Sequence, residues 1–297
     1  MKLNKDKNII LNLIKLLRPK QWIKNGFVFI PFLFAGKMPD VAPLSKGIIV
    51  FVAFCLIASS VYILNDLSDL DFDKAHPEKK DRPLASGKIS IKLAVCIMFL
   101  LASCSALISS LLSREVGWII VLYVISNILY SLYFKNVVII DIFFIALGFL
   151  LRVSAGICAT GVPPSSWIII MTMALSLLLA VGKRRADILS SDNSLKSHRK
   201  VLHLYSIKTI DQMIVILVSL IIITFSLYAV SDYAVLRFGS EALVLTIPIV
   251  VYGLFRYLYI VNDEKSTGDP TKILLSDHHM YLCVLTWLLA CAWIIYR

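Results

Sequence analysis

The chain has 297 residues, of which 59% are hydrophobic and 16% charged, with a formal net charge of +11 at pH 7 and a mean hydropathy of +0.82. Soluble domains carry about 25% charged and about 45–50% apolar residues, so a soluble globular protein is excluded and a polytopic membrane protein expected. A basic balance can serve nucleic acid, anionic lipid or an anionic substrate; in a membrane protein much of it reflects the cytoplasmic bias of Lys and Arg, and nucleic acid is set aside as a partner.

Residues 1–20 are basic, and Ile9, Ile10, Leu13, Ile14, Leu16 and Leu17 fall at helical spacing. That pattern predicts an amphipathic helix in the membrane interface rather than a cleavable signal peptide. A spanning helix needs about 20 mostly apolar residues. On that scale nine spans are predicted, at residues 21–36, 44–64, 91–113, 116–134, 137–159, 165–182, 212–231, 241–261 and 279–296. The first is short and carries Lys24. The apolar runs are long and do not alternate, which argues against strands. The expected fold class is therefore all-α, a polytopic membrane bundle forming a single domain over residues 1–297. Nothing in the sequence argues for an oligomer, and none is excluded.

Cys55, Cys96, Cys104, Cys158, Cys283 and Cys291 lie in apolar stretches with no Cys-x-x-Cys pair. They read as small buried hydrophobes, not as a disulfide framework or zinc site. The five histidines show no metal-ligand spacing with them.

Charge sets the orientation. With the N terminus placed in the cytoplasm, only Lys37, Lys46, Arg114, Arg237 and Arg297 fall outside, and Arg152 falls within a span; every other one of the 30 Lys and Arg is cytoplasmic. This asymmetry predicts a cytoplasmic N terminus in the cytoplasmic membrane. It also puts the two longest polar connections, 65–90 and 183–211, on the cytoplasmic face.

The first of those connections opens with Asn65-Asp66-Leu67-Ser68-Asp69-Leu70-Asp71-Phe72-Asp73. Intramembrane carboxylates are costly unless solvated, paired or holding a cation. On a helix Asp66, Asp69 and Asp73 share one face, with Asn65 beside it. Oxygen-only ligands suit Mg²⁺, which usually keeps waters and binds through substrate phosphates. A metal–diphosphate site is therefore expected, with Asp66, Asp69 and Asp73 as metal ligands. Around it stand Arg18, Lys20, Lys24, Arg82, Lys135, Lys183, Arg184, Arg185 and Arg199. Such cations can hold phosphate oxygens; taken singly, each is equally a topogenic charge. Asn127, Tyr130 and Tyr133 near the end of the fourth span either line the mouth or mark the membrane interface.

Two charges fall inside the fifth span. Asp141 and Arg152 are about three turns apart on one face. Each must face the bundle interior, either as a structural anchor or, for Arg152, as a phosphate contact. Lys183 and Asp187, four residues apart, form either a local ion pair or a second wall of the site.

These residues resemble the UbiA superfamily of intramembrane prenyltransferases, whose first acidic motif, Asn-Asp-x-x-Asp-x-x-x-Asp, is met at 65–73. Within it the chain looks like the decaprenyl-phosphate phosphoribosyltransferase branch, through Leu17-Arg18-Pro19-Lys20-Gln21-Trp22-Ile23-Lys24-Asn25, Asp81-Arg82-Pro83-Leu84-Ala85-Ser86-Gly87, Gly148-Phe149-Leu150-Leu151-Arg152, Gly182-Lys183-Arg184-Arg185-Ala186-Asp187, His198-Arg199 and Tyr205. A second Asp-x-x-x-Asp motif of the aromatic prenyltransferases is not met, because Asp187 and Asp192 are five apart. A Tyr-x-x-x-Lys element is not met cleanly either, Tyr130 and Lys135 being five apart.

The resemblance implies a helical bundle around a central cavity open to the cytoplasm and capped by 65–90 and 183–211, with Mg²⁺ as cofactor. It implies transfer of 5-phosphoribose from 5-phosphoribosyl 1-diphosphate to a polyprenyl phosphate, a step of cell-envelope precursor synthesis. Asn65, Arg18, Lys20, Lys24, Arg82, Lys135, Arg152, Lys183, Arg184, Asp187 and Arg199 are then expected at the substrates. Two alternatives stay open: prenyl transfer from a polyprenyl diphosphate to an aromatic or other small acceptor, and a non-enzymatic transporter or lipid-binding protein.

Overall fold

The computed structural model describes residues 2–35, 41–75, 79–161, 165–189, 200–262, 273 and 276–297, and every regular element among them is helical. Helix α1 (Lys2–Leu17) leads through Arg18 into a 3₁₀ segment, Pro19–Phe29, and a short α2 (Ile30–Leu33). Then follow α3 (Val41–Ser68), α4 (Leu70–Ala75), α5 (Ile91–Leu112), α6 (Arg114–Leu132), α7 (Ile140–Thr160), α8 (Ser166–Leu189), α9 (Ile207–Ala229), α10 (Asp232–Phe238), α11 (Ile247–Asn262) and α12 (His278–Tyr296). Starts are set by polar caps: the side chains of Ser90, Ser113, Ser206 and Asp277 accept from backbone N–H groups in the first turns of α5, α6, α9 and α12, satisfying donors that a helix cannot pair internally.

Eight of the described helical stretches are long and apolar enough to cross a membrane, and the chain is an integral membrane protein. The expected span at 21–36 is built differently. Pro19, Gly26 and Pro31 break up an α-helix there, and the chain takes 3₁₀ geometry before α2. A 3₁₀ helix rises about 2.0 Å per residue and an α-helix about 1.5 Å. The 3₁₀ segment and α2 together therefore reach about 28 Å, close to the ~30 Å hydrocarbon thickness, with fewer residues than an α-helix needs.

Helix α3 is apolar on all sides, as a central helix must be. Inside the bundle, 61% of its apolar stretch is buried and 56% of that of α7, against 11% for α5 and α12. The outer helices instead present leucines and aromatics, such as Phe99, Leu111, Leu289 and Trp293, on the surface that faces lipid. The 3₁₀ segment lies directly on α7. A Cβ on Gly156 would fall onto the Val28 carbonyl, and small residues at Ala155 and Ala159 continue that close seam, as membrane helix interfaces favour.

One apolar cluster explains how the polar end is assembled. Leu16 of α1, Ile63 of α3, Leu84 and Ile89 of the α4–α5 connection and Ala94 of α5 are packed together. The connection turns back at Gly87, whose φ of +71° suits a residue without a Cβ. Burying Leu16 and Leu84 against Ile63 brings Arg18 and Arg82 to the same turn of α3.

Candidate active site

A turn at Asp69 separates α3 from α4, and helix-type bonds still carry the chain across it: the Asp69 N–H donates to the Asn65 carbonyl (3.0 Å) and the Asp73 N–H to the Asp69 carbonyl (2.8 Å). Asp66 and Asp73 are buried and Asp69 is half-buried. Arg82 Nη1 lies 2.9 Å from Asp66 Oδ1 and 2.6 Å from Asp73 Oδ2. Arg18 donates to the same Asp66 oxygen, and its guanidinium lies 5.1 Å from the Tyr62 ring centroid. Lys135 Nζ lies 3.6 Å from Asp69 Oδ1, and Ser131 Oγ donates to Asn65 Oδ1 (2.9 Å).

A second cluster adjoins the first through α6. Tyr130, next to Ser131, accepts from Arg184 Nη2 (3.0 Å). Arg184 is 1% exposed; its Nε donates to Asp141 Oδ2 (2.6 Å) and its Nη1 to Asp187 Oδ2 (3.1 Å). The Tyr205 hydroxyl donates to Asp141 Oδ1 (2.7 Å) and accepts from the Ile139 N–H (2.6 Å). Burial and the hydrogen bond to Asp141 both push the Tyr205 phenol above its ordinary range, so it stays a donor at neutral pH. The only non-glycine residues with positive φ among those described are Arg18 (53°) and Ile139 (71°), one beside each cluster. Such backbone persists where the surroundings over-determine it, most often at functional sites.

Arg152 lies deeper. Its Nε donates to Asn25 Oδ1 (2.8 Å), Nη1 to the Gly148 carbonyl (2.6 Å) and Nη2 to the Tyr123 hydroxyl (3.0 Å). The rings of Phe54, Tyr123 and Phe149 surround it at 4.9–5.7 Å, and no carboxylate pairs with it among the described residues. Asp141, expected on the same face, pairs with Arg184 instead. Asn25 also donates to Cys55 Sγ (3.3 Å), and Trp22 Nε1 to Ser59 Oγ (3.1 Å). Arg152 and α3 thus fix the 3₁₀ segment that carries Lys20, exposed, and Lys24, half-buried. Arg185 points away from the acidic face, donating to Asp211 Oδ1 (2.7 Å) and the Val261 carbonyl (2.8 Å). Arg199 lies outside the described residues.

Whether this face suits a divalent cation can be judged from its donors. No three His, Cys, Asp or Glu side chains converge to hold a metal among the described residues. Asp66 and Asp73, however, both reach one guanidinium nitrogen and so already share a cationic partner. Mg²⁺ binds through one or two carboxylates and substrate phosphates rather than in all-protein cages. The residues fit that mode.

Residues 27–285 match the UbiA prenyltransferase family. The chain belongs to that family. The decaprenyl-phosphate phosphoribosyltransferase of Mycolicibacterium smegmatis is 31% identical over 293 residues, covering 95% of this chain and 92% of the relative. The enzyme of the same name from Corynebacterium glutamicum is 30% identical over 302 residues, covering 98% and 88%. Among solved structures, a UbiA homolog from Archaeoglobus fulgidus bound to GPP and Mg²⁺ matches with a TM-score of 0.72 at 16% identity, covering 96% of this chain and 99% of the other. This UbiA-family chain is a membrane transferase with the UbiA fold.

Sequence reasoning did not single out Ser131, which ties α6 to Asn65, or the link between Tyr130 and Arg184. Both sit on the last turn of α6; the serine carries no signal of its own, and Tyr130, expected at the mouth or the interface, carries none that pairs it with Arg184. The pairing of Asp141 with Arg184 joins residues 43 positions apart, and no local spacing announces it.

Proposed function

We propose that this protein transfers 5-phosphoribose from 5-phosphoribosyl 1-diphosphate to a polyprenyl phosphate at the cytoplasmic face of the membrane. The kinship over nearly the full chain with proteins named decaprenyl-phosphate phosphoribosyltransferase carries this reading. The cation-rich setting of the acidic face supports it, because both substrates are phosphorylated. The charge bias of the connections supports a cytoplasmic active site.

In this reading an oxygen of the lipid phosphate forms a bond to ribose C1 as the bond from C1 to diphosphate breaks, and the electron pair leaves with diphosphate. The acceptor oxygen is anionic at neutral pH, so no strong general base is required. Asp66 and Asp73, with Asp69 one turn between them, would hold Mg²⁺ together with the substrate phosphates, and the ion would supply charge neutralisation at the departing diphosphate. Arg82 and Lys135, already against those carboxylates, bind diphosphate oxygens, with Asn65 orienting the same turn. Lys183 and Arg199 serve the 5-phosphate. Arg18, Lys20 and Lys24, beside the interfacial α1, hold the lipid phosphate while the isoprenoid stays in the apolar phase. Arg184 and Asp187 are positioning residues: Arg184, bonded to Asp187, Asp141 and Tyr130, fixes the end of α8 that carries Lys183. Arg152 positions the 3₁₀ segment through Asn25. The connections 65–90 and 183–211 cap the site.

The test is donor choice. Purified protein is given polyprenyl phosphate with phosphoribosyl diphosphate, and in parallel a polyprenyl diphosphate with an aromatic acceptor. Turnover in the first mixture alone is expected. Turnover only in the second overturns the reading in favour of prenyl transfer, and turnover in neither removes both.

A further inference from the structure

Lys135 reaches the acidic face from a turn that its own residues do not favour. Residues 133–139 join α6 to α7. Within them the 3₁₀ turn Phe134–Asn136 carries Lys135 to Asp69 (3.6 Å). At their end stands Ile139, with φ 71° and ψ −47°. A β-branched residue at positive φ is an outlier, because its Cβ crowds the backbone. Ile139 is the N-cap of α7, yet its side chain supplies no capping bond. That side chain is also 44% exposed, so its burial does not impose the backbone.

What holds Ile139 comes from a distant part of the chain. The Tyr205 hydroxyl accepts from the Ile139 N–H (2.6 Å) and donates to Asp141 Oδ1 (2.7 Å). One hydroxyl thus spans the strained residue and the first turn of α7. The Asp141 N–H donates to the Val137 carbonyl (3.1 Å) and the Ile142 N–H to the Ile139 carbonyl (3.1 Å), closing the turn around that contact. Val138 packs against the apolar cluster that holds Tyr205, Val201 and Ile142.

Tyr205 is itself fixed. Val201 and Leu202 of the preceding 3₁₀ turn, Lys200–Leu204, are buried, and Ser206, next in sequence, caps α9. Beside Lys135, the Phe134 ring stacks on Phe144 of α7 at 4.6 Å. Lys135 therefore lies between two pins, one apolar and one polar. The polar pin reaches it from the α8–α9 connection.

We propose that Tyr205 is a positioning residue for Lys135: its hydroxyl holds Ile139 at positive φ and so keeps the α6–α7 turn where Lys135 meets Asp69 and diphosphate. Tyr205 acts in this way only if Lys135 contacts diphosphate, as the proposed function has it, and its role rests on that reading. Strained backbone over-determined from outside marks functional sites. If Tyr205 only buttressed Asp141, its loss would not act through Lys135.

The experiment titrates inorganic diphosphate with Mg²⁺ into the full chain in detergent, by calorimetry, with thermal melting to show that each variant is folded. Diphosphate leaves in prenyl transfer as well as in phosphoribosyl transfer, so the result does not depend on which donor the protein uses. Lys135→Gln should weaken binding about tenfold, the scale of a charge-assisted hydrogen bond. Tyr205→Phe keeps the ring; it should weaken binding about fivefold alone and add little in the Lys135→Gln background. Glycine accepts positive φ without strain, so Ile139→Gly should bring the Tyr205→Phe protein back to within about twofold of wild type. Glycine cannot restore the donor to Asp141, so this rescue separates positioning from buttressing. Ile139→Pro removes the N–H and sets φ near about −65°. It breaks the same contact from the other side and carries the test, with the same loss expected, if Tyr205→Phe fails to fold. Undiminished binding in Tyr205→Phe, losses that add in full with Lys135→Gln, or a defect that Ile139→Gly leaves in place each overturn the proposal. Undiminished binding in Lys135→Gln would also remove Lys135 from the diphosphate.

Discussion

Arg184 and Asp141 form an ion pair at 2.6 Å between α8 and α7, with side-chain exposures of 1% and 0%. Removing one member of a buried pair leaves the other charge uncompensated, at a cost of about 3–5 kcal/mol. Asp141→Ala and Arg184→Ala should each lower stability by about that much. Asp141→Asn combined with Arg184→Gln should cost less than the sum of the single neutral substitutions. Denaturation in detergent of the single and double variants measures it; strict additivity would show that the pair is not coupled.

The acidic face should separate chemistry from folding. Asp69 is half-buried and lies beside Lys135, so Asp69→Asn keeps the shape while removing a charge. Asp73→Asn retains an acceptor for Arg82. Both variants should insert and melt close to wild type yet lose turnover by at least about a hundredfold, the scale of roughly 3 kcal/mol of lost transition-state stabilisation. Near-normal activity in both would remove them from the metal site.

Arg152 should respond in the opposite way. Its loss removes the guanidinium donor from Asn25 Oδ1 and from the Tyr123 hydroxyl, and a buried acceptor left unsatisfied costs about 1–3 kcal/mol. Arg152→Ala is expected to lower thermal stability and leave the donor KM nearly unchanged in the protein that remains folded. Arg152→Lys should rescue only part, because an ammonium cannot copy the planar fork that reaches three partners. A raised donor KM with intact stability would place Arg152 at the substrate instead.

At the start of α12, Asp277 takes hydrogen bonds from Arg256 (2.6 Å) and from the Met280 N–H (2.7 Å). The bond from Arg256 is the chief cause that holds its carboxyl below the ordinary value of 3.8. A carboxyl depressed in the folded state binds fewer protons there than in the unfolded chain. Its stabilisation is therefore full above the unfolded value and fades as pH falls from about 3.8 through the lower folded value. Melting of wild type and Asp277→Asn across that acid range should converge as pH falls; a constant gap would contradict the assignment.

Much of the frame was legible in the chain. Long apolar runs fix helices because a bilayer offers backbone groups no other partner, and spacings of three and four residues put Asp66, Asp69 and Asp73 on one face. The segment 21–36 reads as a short span carrying Lys24, and hydropathy does not distinguish 3₁₀ from α geometry there; Pro19, Gly26 and Pro31 are the available signals. The meeting of Arg18 and Arg82 at Asp66 was not legible. It depends on Leu16, Leu84 and Ile63 packing across distant parts of the chain, and apolar residues in loops do not announce their partners. Arg152 reads from sequence as either an anchor or a phosphate contact and Arg184 as a charge near a substrate; burial gives both of them protein partners that composition cannot assign.

The central claim is that ribose C1 changes its oxygen from diphosphate to a lipid phosphate. The most direct measurement uses phosphoribosyl diphosphate labelled separately in the ribose and in the β-phosphate, with polyprenyl phosphate and Mg²⁺. The expected result is ribose label in the lipid extract and β-phosphate label released as water-soluble diphosphate, both lost in Asp69→Asn. No labelled lipid, or β-phosphate label travelling with the lipid, would contradict it.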